Sequence, residues 1–128
     1  MHHEIIAGPF VLPDGTALPL SKAIRAGDFV FLAGQLGVDE AGALVSPTMA
    51  GQATQALENA RRLLQGAGCS MSQVIKANVW VTGKEHFAEF NRIYAGVFAV
   101  NPPVRTTVCS ALLLPGALVE IELVAYAP

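Results

Sequence analysis

The last nine residues before the C-terminal Ala-Pro alternate so strictly that they leave few folds open. Leu118, Glu120, Glu122, Val124 and Tyr126 occupy one set of positions; Val119, Ile121, Leu123 and Ala125 occupy the other. Side chains along a strand point to opposite faces with a period of two, so this segment reads as a strand with one wholly apolar face and one face bearing both glutamates. The apolar face needs a cover, and the glutamate face is open to solvent, a cleft or another chain.

The preceding segment, Val104 to Leu114, is a mostly apolar run joined to the final strand through Leu114-Pro115-Gly116-Ala117, and it reads as a buried strand over Val104–Leu113. It contains Arg105. A charge inside such a strand must be paired or must face a cleft, because an isolated buried charge is too costly. Its partner is either Glu120 or Glu122 of the same fold or a ligand carboxylate or phosphate held by the planar guanidinium, and physics alone leaves both open.

Upstream, Glu4–Leu12 reads as a strand running into a Pro13-Asp14-Gly15 turn, with Leu18–Arg25 returning beside it. Asp28–Ala33 is an apolar run closed by Gly34, and Asp39-Glu40-Ala41-Gly42 is a turn before a short partner, Ala43–Val45. Thr48 stands at a helix N-cap position, and Ala53, Ala56, Leu57, Ala60, Leu63, Leu64 and Ala67 recur at helical spacing until Gly66 and Gly68. Gln52, Gln55, Glu58, Asn59, Arg61 and Arg62 are assigned to the polar side. A β-branched strand, Ser72–Val81, leads into a second helix with Phe87, Phe90, Tyr94, Val97 and Phe98 on one face, stopped by Pro102-Pro103. Strands, helix, strand, helix, strands in one 128-residue unit predict a single α+β domain over residues 1–128, with both helices on one face of a mixed sheet.

Composition bears on the face left bare. Hydrophobic residues make up 52% and charged residues only 14% of the chain, against roughly 25% charged in an average soluble domain. Too few charges remain to coat a monomer, which predicts a permanent oligomer. A net charge of −2 with eight dispersed Lys and Arg argues against a nucleic-acid binder. No apolar stretch approaches the roughly 20 residues of a membrane span. Met1-His2-His3-Glu4 lacks signal-peptide character, so the expected location is the cytoplasm. Cys69 and Cys109 form no metal-ligand spacing with His2, His3 or His86 and read as reduced thiols; no metal or cofactor is expected.

The combination of Pro103-Val104-Arg105, Val119-Glu120-Ile121, Ala33-Gly34-Gln35-Leu36, Gln52 through Asn59, and Phe90-Asn91 with Tyr94 resembles the RidA/YjgF reactive intermediate deaminase family, also labelled endoribonuclease L-PSP, over nearly the whole chain. The resemblance implies a chorismate-mutase-like fold, assembled as a homotrimer with an inner barrel of sheets, helices outside and ligand sites between subunits. It implies hydrolysis of 2-imino acids or their enamine tautomers to 2-oxo acids and ammonia, without a cofactor. Arg105 would grip the substrate carboxylate and Glu120 would handle the attacking water. Leu20, Ala33, Gly34, Asn91, Thr107 and Cys109 would line the substrate site.

Three of these positions depart from the family pattern. Leu20 replaces a tyrosine, Ala33 a serine and Thr107 a cysteine, while Cys109 falls two positions beyond Thr107 on the same side of the strand. A pocket that keeps its arginine and loses hydroxyls suits a bulkier or more apolar carboxylate, or binding without fast turnover. Two other classes therefore stand beside the deaminase: a non-catalytic carboxylate-binding trimer, and a ribonuclease or translation inhibitor. Against the last, the sequence holds no histidine pair, metal cluster or basic-aromatic stripe. Several residues have plainer readings: Asn91 as a tie between helix and loop, His86 as a solvated residue, and Trp80 as core.

Overall fold

The computed structural model describes residues 3–128; Met1 and His2, part of the N-terminal segment read above, lie outside the described residues. Six strands form one sheet: β1 (Glu4–Ala7), β2 (Ala23–Ala26), β3 (Phe29–Leu32), β4 (Val74–Val81), β5 (Val104–Cys109) and β6 (Val119–Tyr126). Helix α1 (Met49–Gly66) and helix α2 (Phe87–Val97) interrupt them. The spatial order is β1-β2-β3-β6-β4-β5, with β4 and β5 parallel and every other pair antiparallel. The expected α+β domain with a mixed sheet is therefore present, with both helices on one face.

The final strand behaves as its alternation predicts. Val119, Ile121, Leu123 and Ala125 are fully buried beneath the helices, together with Ala77, Val79 and Val81 of β4 and Ala53, Ala56, Ala60 and Leu64 of α1. Small residues on α1 let the helix approach the sheet closely. Thr48 caps α1 by accepting from the Gly51 N–H at 3.1 Å, as its position predicts.

Several boundaries differ from the sequence reading. The first hairpin pairs only Glu4–Ala7 with Ala23–Ala26; between them, the Pro13-Asp14-Gly15 turn is closed by a single bridge, Val11 to Ala17, and by Leu12 N–H to Thr16 O at 2.8 Å. Ala43–Val45 makes one bridge, Val38 to Leu44, in place of a strand. A 3₁₀ turn, Met71–Gln73, takes the first residues assigned to β4. Helix α2 ends at Val97, before Pro102-Pro103, and Phe87 and Val97 stand half-exposed at its margin.

Two differences matter for function. The run Val104–Leu114 is not a buried strand: β5 stops at Cys109, forms the sheet edge, and leaves Val104 68% and Val108 41% exposed. Gln52 does not lie on a solvated side of α1 but is fully buried. Its Nε2 donates to Ser46 O and Gly116 O, both at 3.0 Å, and its Oε1 accepts from Leu118 N–H at 2.7 Å. The amide thus ties the start of α1 to the turn that launches β6, satisfying backbone groups that the fold would otherwise bury unpaired.

Candidate functional site

Register fixes which side of the sheet each candidate residue occupies, because directly paired residues share a face. Ala77 pairs with Leu123 on one side and Arg105 on the other, and Val79 pairs with Ile121 and Thr107. Leu123 and Ile121 lie beneath the helices, so Arg105 and Thr107 project to the helix side of the edge strand, with Cys109 opposite Val81 continuing the same row. Trp80 pairs with Glu120 and Val108, and Asn78 with Glu122 and Thr106. These residues occupy the face without helices.

Arg105 meets rings where a carboxylate was the structural alternative. Its guanidinium carbon is 4.8 Å from the centre of the Tyr94 ring, 5.5 Å from Phe90 and 5.8 Å from Phe87. Neither Glu120 nor Glu122 pairs with it, since both project from the opposite face, and among the described residues no carboxylate lies within ion-pair distance. Aromatic faces attract the cation but do not use its fork of N–H donors. The arginine therefore carries unspent capacity for a planar anion. Asn91 sits one turn from both Phe87 and Tyr94 on α2, half-buried, and its amide makes no hydrogen bond to the described residues.

Glu120 lies about two strand spacings away, ~10 Å, on the other face. Its carboxylate rests on the backbone of Gly34: a Cβ there would overlap Glu120 Oε2 and stand 2.8 Å from its Cδ. Gly34 is held in place by the bridge between Gln35 and Ile121, whose N–H to O distances are 2.7 and 3.0 Å. Ala33 N–H donates to Lys22 O at 2.8 Å, which brings the Leu20–Lys22 segment alongside; Leu20 itself is 41% exposed. Burial pushes the Glu120 carboxyl above its ordinary value, and the nearby Glu122 charge pushes it the same way. Glu122 is engaged locally, accepting from Asn78 Nδ2 at 3.1 Å.

The candidate residues thus fall into two groups. Arg105, Thr107, Cys109 and Asn91 form a wall on the helix side of one edge; Glu120, Gly34 and Ala33, with Leu20 nearby, form another on the bare side. Two concavities among the described residues, about 510 Å³ beside Lys22 and Asn59 and about 620 Å³ between α1 and α2, contain neither Arg105 nor Glu120. Among the described residues no cluster of His, Cys, Asp and Glu is arranged to hold a metal ion. The sequence placed Phe87, Phe90 and Tyr94 on one face of the second helix but did not reveal the shelf they make for Arg105. Their spacing, i, i+3 and i+7, was the available signal, once β5 was placed beside α2.

The bare face is itself apolar. Ile5, Phe29, Phe31, Tyr126, Val104 and Val108 are each between 38% and 68% exposed, and Phe29 stacks at 5.3 Å from Tyr126 across the β3–β6 pair. No helix covers them. The sheet thus has one helix-covered face, one apolar open face and, at its edge, an arginine with no carboxylate partner among the described residues.

Comparison with known proteins gives that architecture a family. Residues 14–127 match the family model described as Endoribonuclease L-PSP. A human protein named 2-iminobutanoate/2-iminopropanoate deaminase is 37% identical over 112 residues, spanning 87% of this chain and 82% of its own. A RutC family protein of Pyrococcus horikoshii is 39% identical over 109 residues, spanning 84% and 86%. The crystal structure of a conserved Rid-family protein of Yersinia pestis superposes with a TM-score of 0.86 at 30% identity, covering 98% of this chain and all of that one. The chain belongs to the endoribonuclease L-PSP family, the RidA/YjgF proteins.

Proposed function

We propose that the protein hydrolyses 2-imino acids, or their enamine tautomers, to 2-oxo acids and ammonia at clefts between the subunits of a homotrimer. One observation carries the reading: Arg105 and Glu120 project from opposite faces of one sheet, so they can act on one ligand only when Arg105 of one subunit meets Glu120 of another. The apolar bare face supports the assembly, since packing these faces together removes Phe29, Phe31, Val108 and Tyr126 from water. The names of the human and bovine relatives, 37% identical to this chain, support the chemistry.

In this reading the guanidinium of Arg105 takes the substrate carboxylate in a bidentate fork, fixing the adjacent imine carbon. Glu120 accepts a proton from water as the oxygen bonds to that carbon and the C=N π pair moves to nitrogen. That proton passes to nitrogen to give the carbinolamine; Glu120 then relays the carbinolamine hydroxyl proton to the amine, and the C–N bond breaks to release ammonia as the C=O forms. A carboxyl raised above its ordinary value is a stronger base than a solvated one, which suits that task. The imine is already electrophilic, so the chain's own residues suffice for the step. Among the described residues no helix is long and apolar enough to cross a membrane, and a cytoplasmic location is a separate part of the proposal.

The second reading, a trimer that binds carboxylate metabolites without turnover, draws on Leu20, Ala33 and Thr107, which leave two hydroxyls and a thiol of the family pattern absent. Generating 2-iminopropanoate or 2-iminobutanoate in situ with an amino-acid oxidase, and following imine decay with and without protein, separates the two. Acceleration is expected, lost in Arg105→Ala and lowered in turnover more than in binding by Glu120→Gln. No acceleration, with 2-oxo acid binding retained, would select the binding trimer instead.

A further inference from the structure

Two buried side-chain oxygens among the described residues have no hydrogen-bond partner, Tyr94 Oη and Thr107 Oγ1, and both belong to the Arg105 wall. Tyr94 is 6% exposed and supplies the ring closest to the guanidinium. Thr107 is the next residue on the same face of β5 after Arg105. Native interiors rarely leave a hydroxyl unpaired, since it forfeits its bonds to water and gains nothing in return. Packing does not explain either group. The Tyr94 ring stacks with Phe90 at 5.5 Å and Phe98 at 4.7 Å, contacts a phenylalanine would make equally well. A valine would suit the strand position of Thr107.

Hydrogen-bond stoichiometry identifies what the wall lacks. Beside the half-buried amide of Asn91 at its margin, it offers the fork of Arg105 and two buried hydroxyls, and no anion matched to them. A carboxylate presents about four lone-pair sites, of which a bidentate guanidinium uses two. We propose that Tyr94 Oη and Thr107 Oγ1 donate to the remaining two, completing with Arg105 a four-donor seat for the ligand carboxylate. The inference rests on the reading of Arg105 as a carboxylate clamp and adds Tyr94 to the site. Burial raises the Tyr94 hydroxyl above its ordinary value, more than the charge of Arg105 lowers it, so the group keeps the proton it donates. Arg105 is long and bound to the shelf by ring contacts alone, so it turns to meet the anion and opens the space beside both hydroxyls. The seat selects carboxylate over carboxamide, because an amide nitrogen brings donors where the seat also has donors.

The test measures 2-oxobutanoate binding by calorimetry, and melting temperature, for the intact protein and for Tyr94→Phe, Thr107→Val, Thr107→Ser and Arg105→Ala. Tyr94→Phe and Thr107→Val are each expected to weaken binding about tenfold with no loss of melting temperature. Thr107→Ser, which keeps the hydroxyl, retains wild-type affinity. Unchanged affinity in both hydroxyl deletions overturns the proposal. So does a lower melting temperature at unchanged affinity, which marks the hydroxyls as partners of a structural water. Arg105→Ala distinguishes the two levels: if it binds 2-oxobutanoate normally the clamp reading itself fails, whereas loss of binding there alone removes only the added donors.

Discussion

Strands β5 and β6 flank β4 on either side and carry inverted patterns. Strand β6 turns Val119, Ile121, Leu123 and Ala125 toward the helices and its glutamates outward, as expected of a strand in a half-covered sheet. Strand β5 turns Arg105 and Thr107 toward the helices and leaves Val104 and Val108 on the open face. The pattern of β6 satisfies a single chain. That of β5 does not: it puts a cation and an unpaired hydroxyl against the interior and apolar side chains against water. Such a strand makes sense when its open side packs on another chain and its charge meets a ligand.

Substitution on the inward row of each strand gives the largest contrast. Ile121 is fully buried, and Ile121→Ala should cost about 2 to 5 kcal/mol in urea unfolding, through lost burial and a residual cavity. Arg105→Ala removes a side chain held by ring contacts alone and should cost about 1 kcal/mol or less, while ligand binding disappears. Equal stability losses at the two positions would break the distinction between a core strand and a site strand.

The outward rows give the next effect. Val108→Asp places a charge on the apolar face beside Trp80 and should shift the oligomer toward smaller species in light scattering, with the helical circular dichroism signal retained. Arg61→Ala, on the helix surface, serves as the control and should leave the assembly intact. An unchanged oligomer for Val108→Asp would show that this edge is free in solution and would separate the site from the assembly.

How far the contrast could be read in sequence depended on what set each residue's environment. The alternation of β6 was legible because one covered face demands period-two apolarity, and Thr48 and the helical spacing of α1 were legible because they act locally. The edge position of β5 was not, because it follows from the sheet order, which places β4 and not β5 beside β6. An apolar run then looks buried whether or not a neighbour exists. Gln52 was misplaced for a related reason: residue type suggests solvent, whereas a backbone group just before α1 and two from the distant turn into β6 collect on its amide. Arg105, Glu120, Gly34 and Thr107 were all named from sequence, yet their division between two faces emerged only from the register. Tyr94 was legible as one aromatic along a helix face and as part of the family resemblance, but not as a donor, because its hydroxyl has no sequence signature distinct from its ring.

A subtler effect sharpens the contrast on the β6 side. Gly34→Ala introduces a methyl group where the Glu120 carboxylate lies, so the carboxylate must move while Arg105, on the other face, stays in place. If the deaminase reading holds, turnover should fall about tenfold or more with 2-oxo acid affinity changed far less, a kcat effect rather than a KM effect. A proportional loss of binding would instead assign Gly34 and Glu120 to the carboxylate seat.

The smallest expected effect is the pH dependence that Glu120 adds to stability. Its carboxyl is raised in the folded protein, first by burial and then by the Glu122 charge, so the native state holds its proton more tightly than the unfolded chain does. Folding is therefore favoured by this group below its unfolded value, near pH 4.5, and the advantage is lost as pH rises through the folded value. Glu120→Gln removes the titration. The difference in urea midpoint, Glu120→Gln minus wild type, should grow from about pH 4 toward about pH 7 at fixed protein concentration, because only the wild type must then bury a charge. The step is modest since the carboxylate is only partly buried, and a difference that shrinks with rising pH would mean that a cation of another subunit already stabilises the charged form.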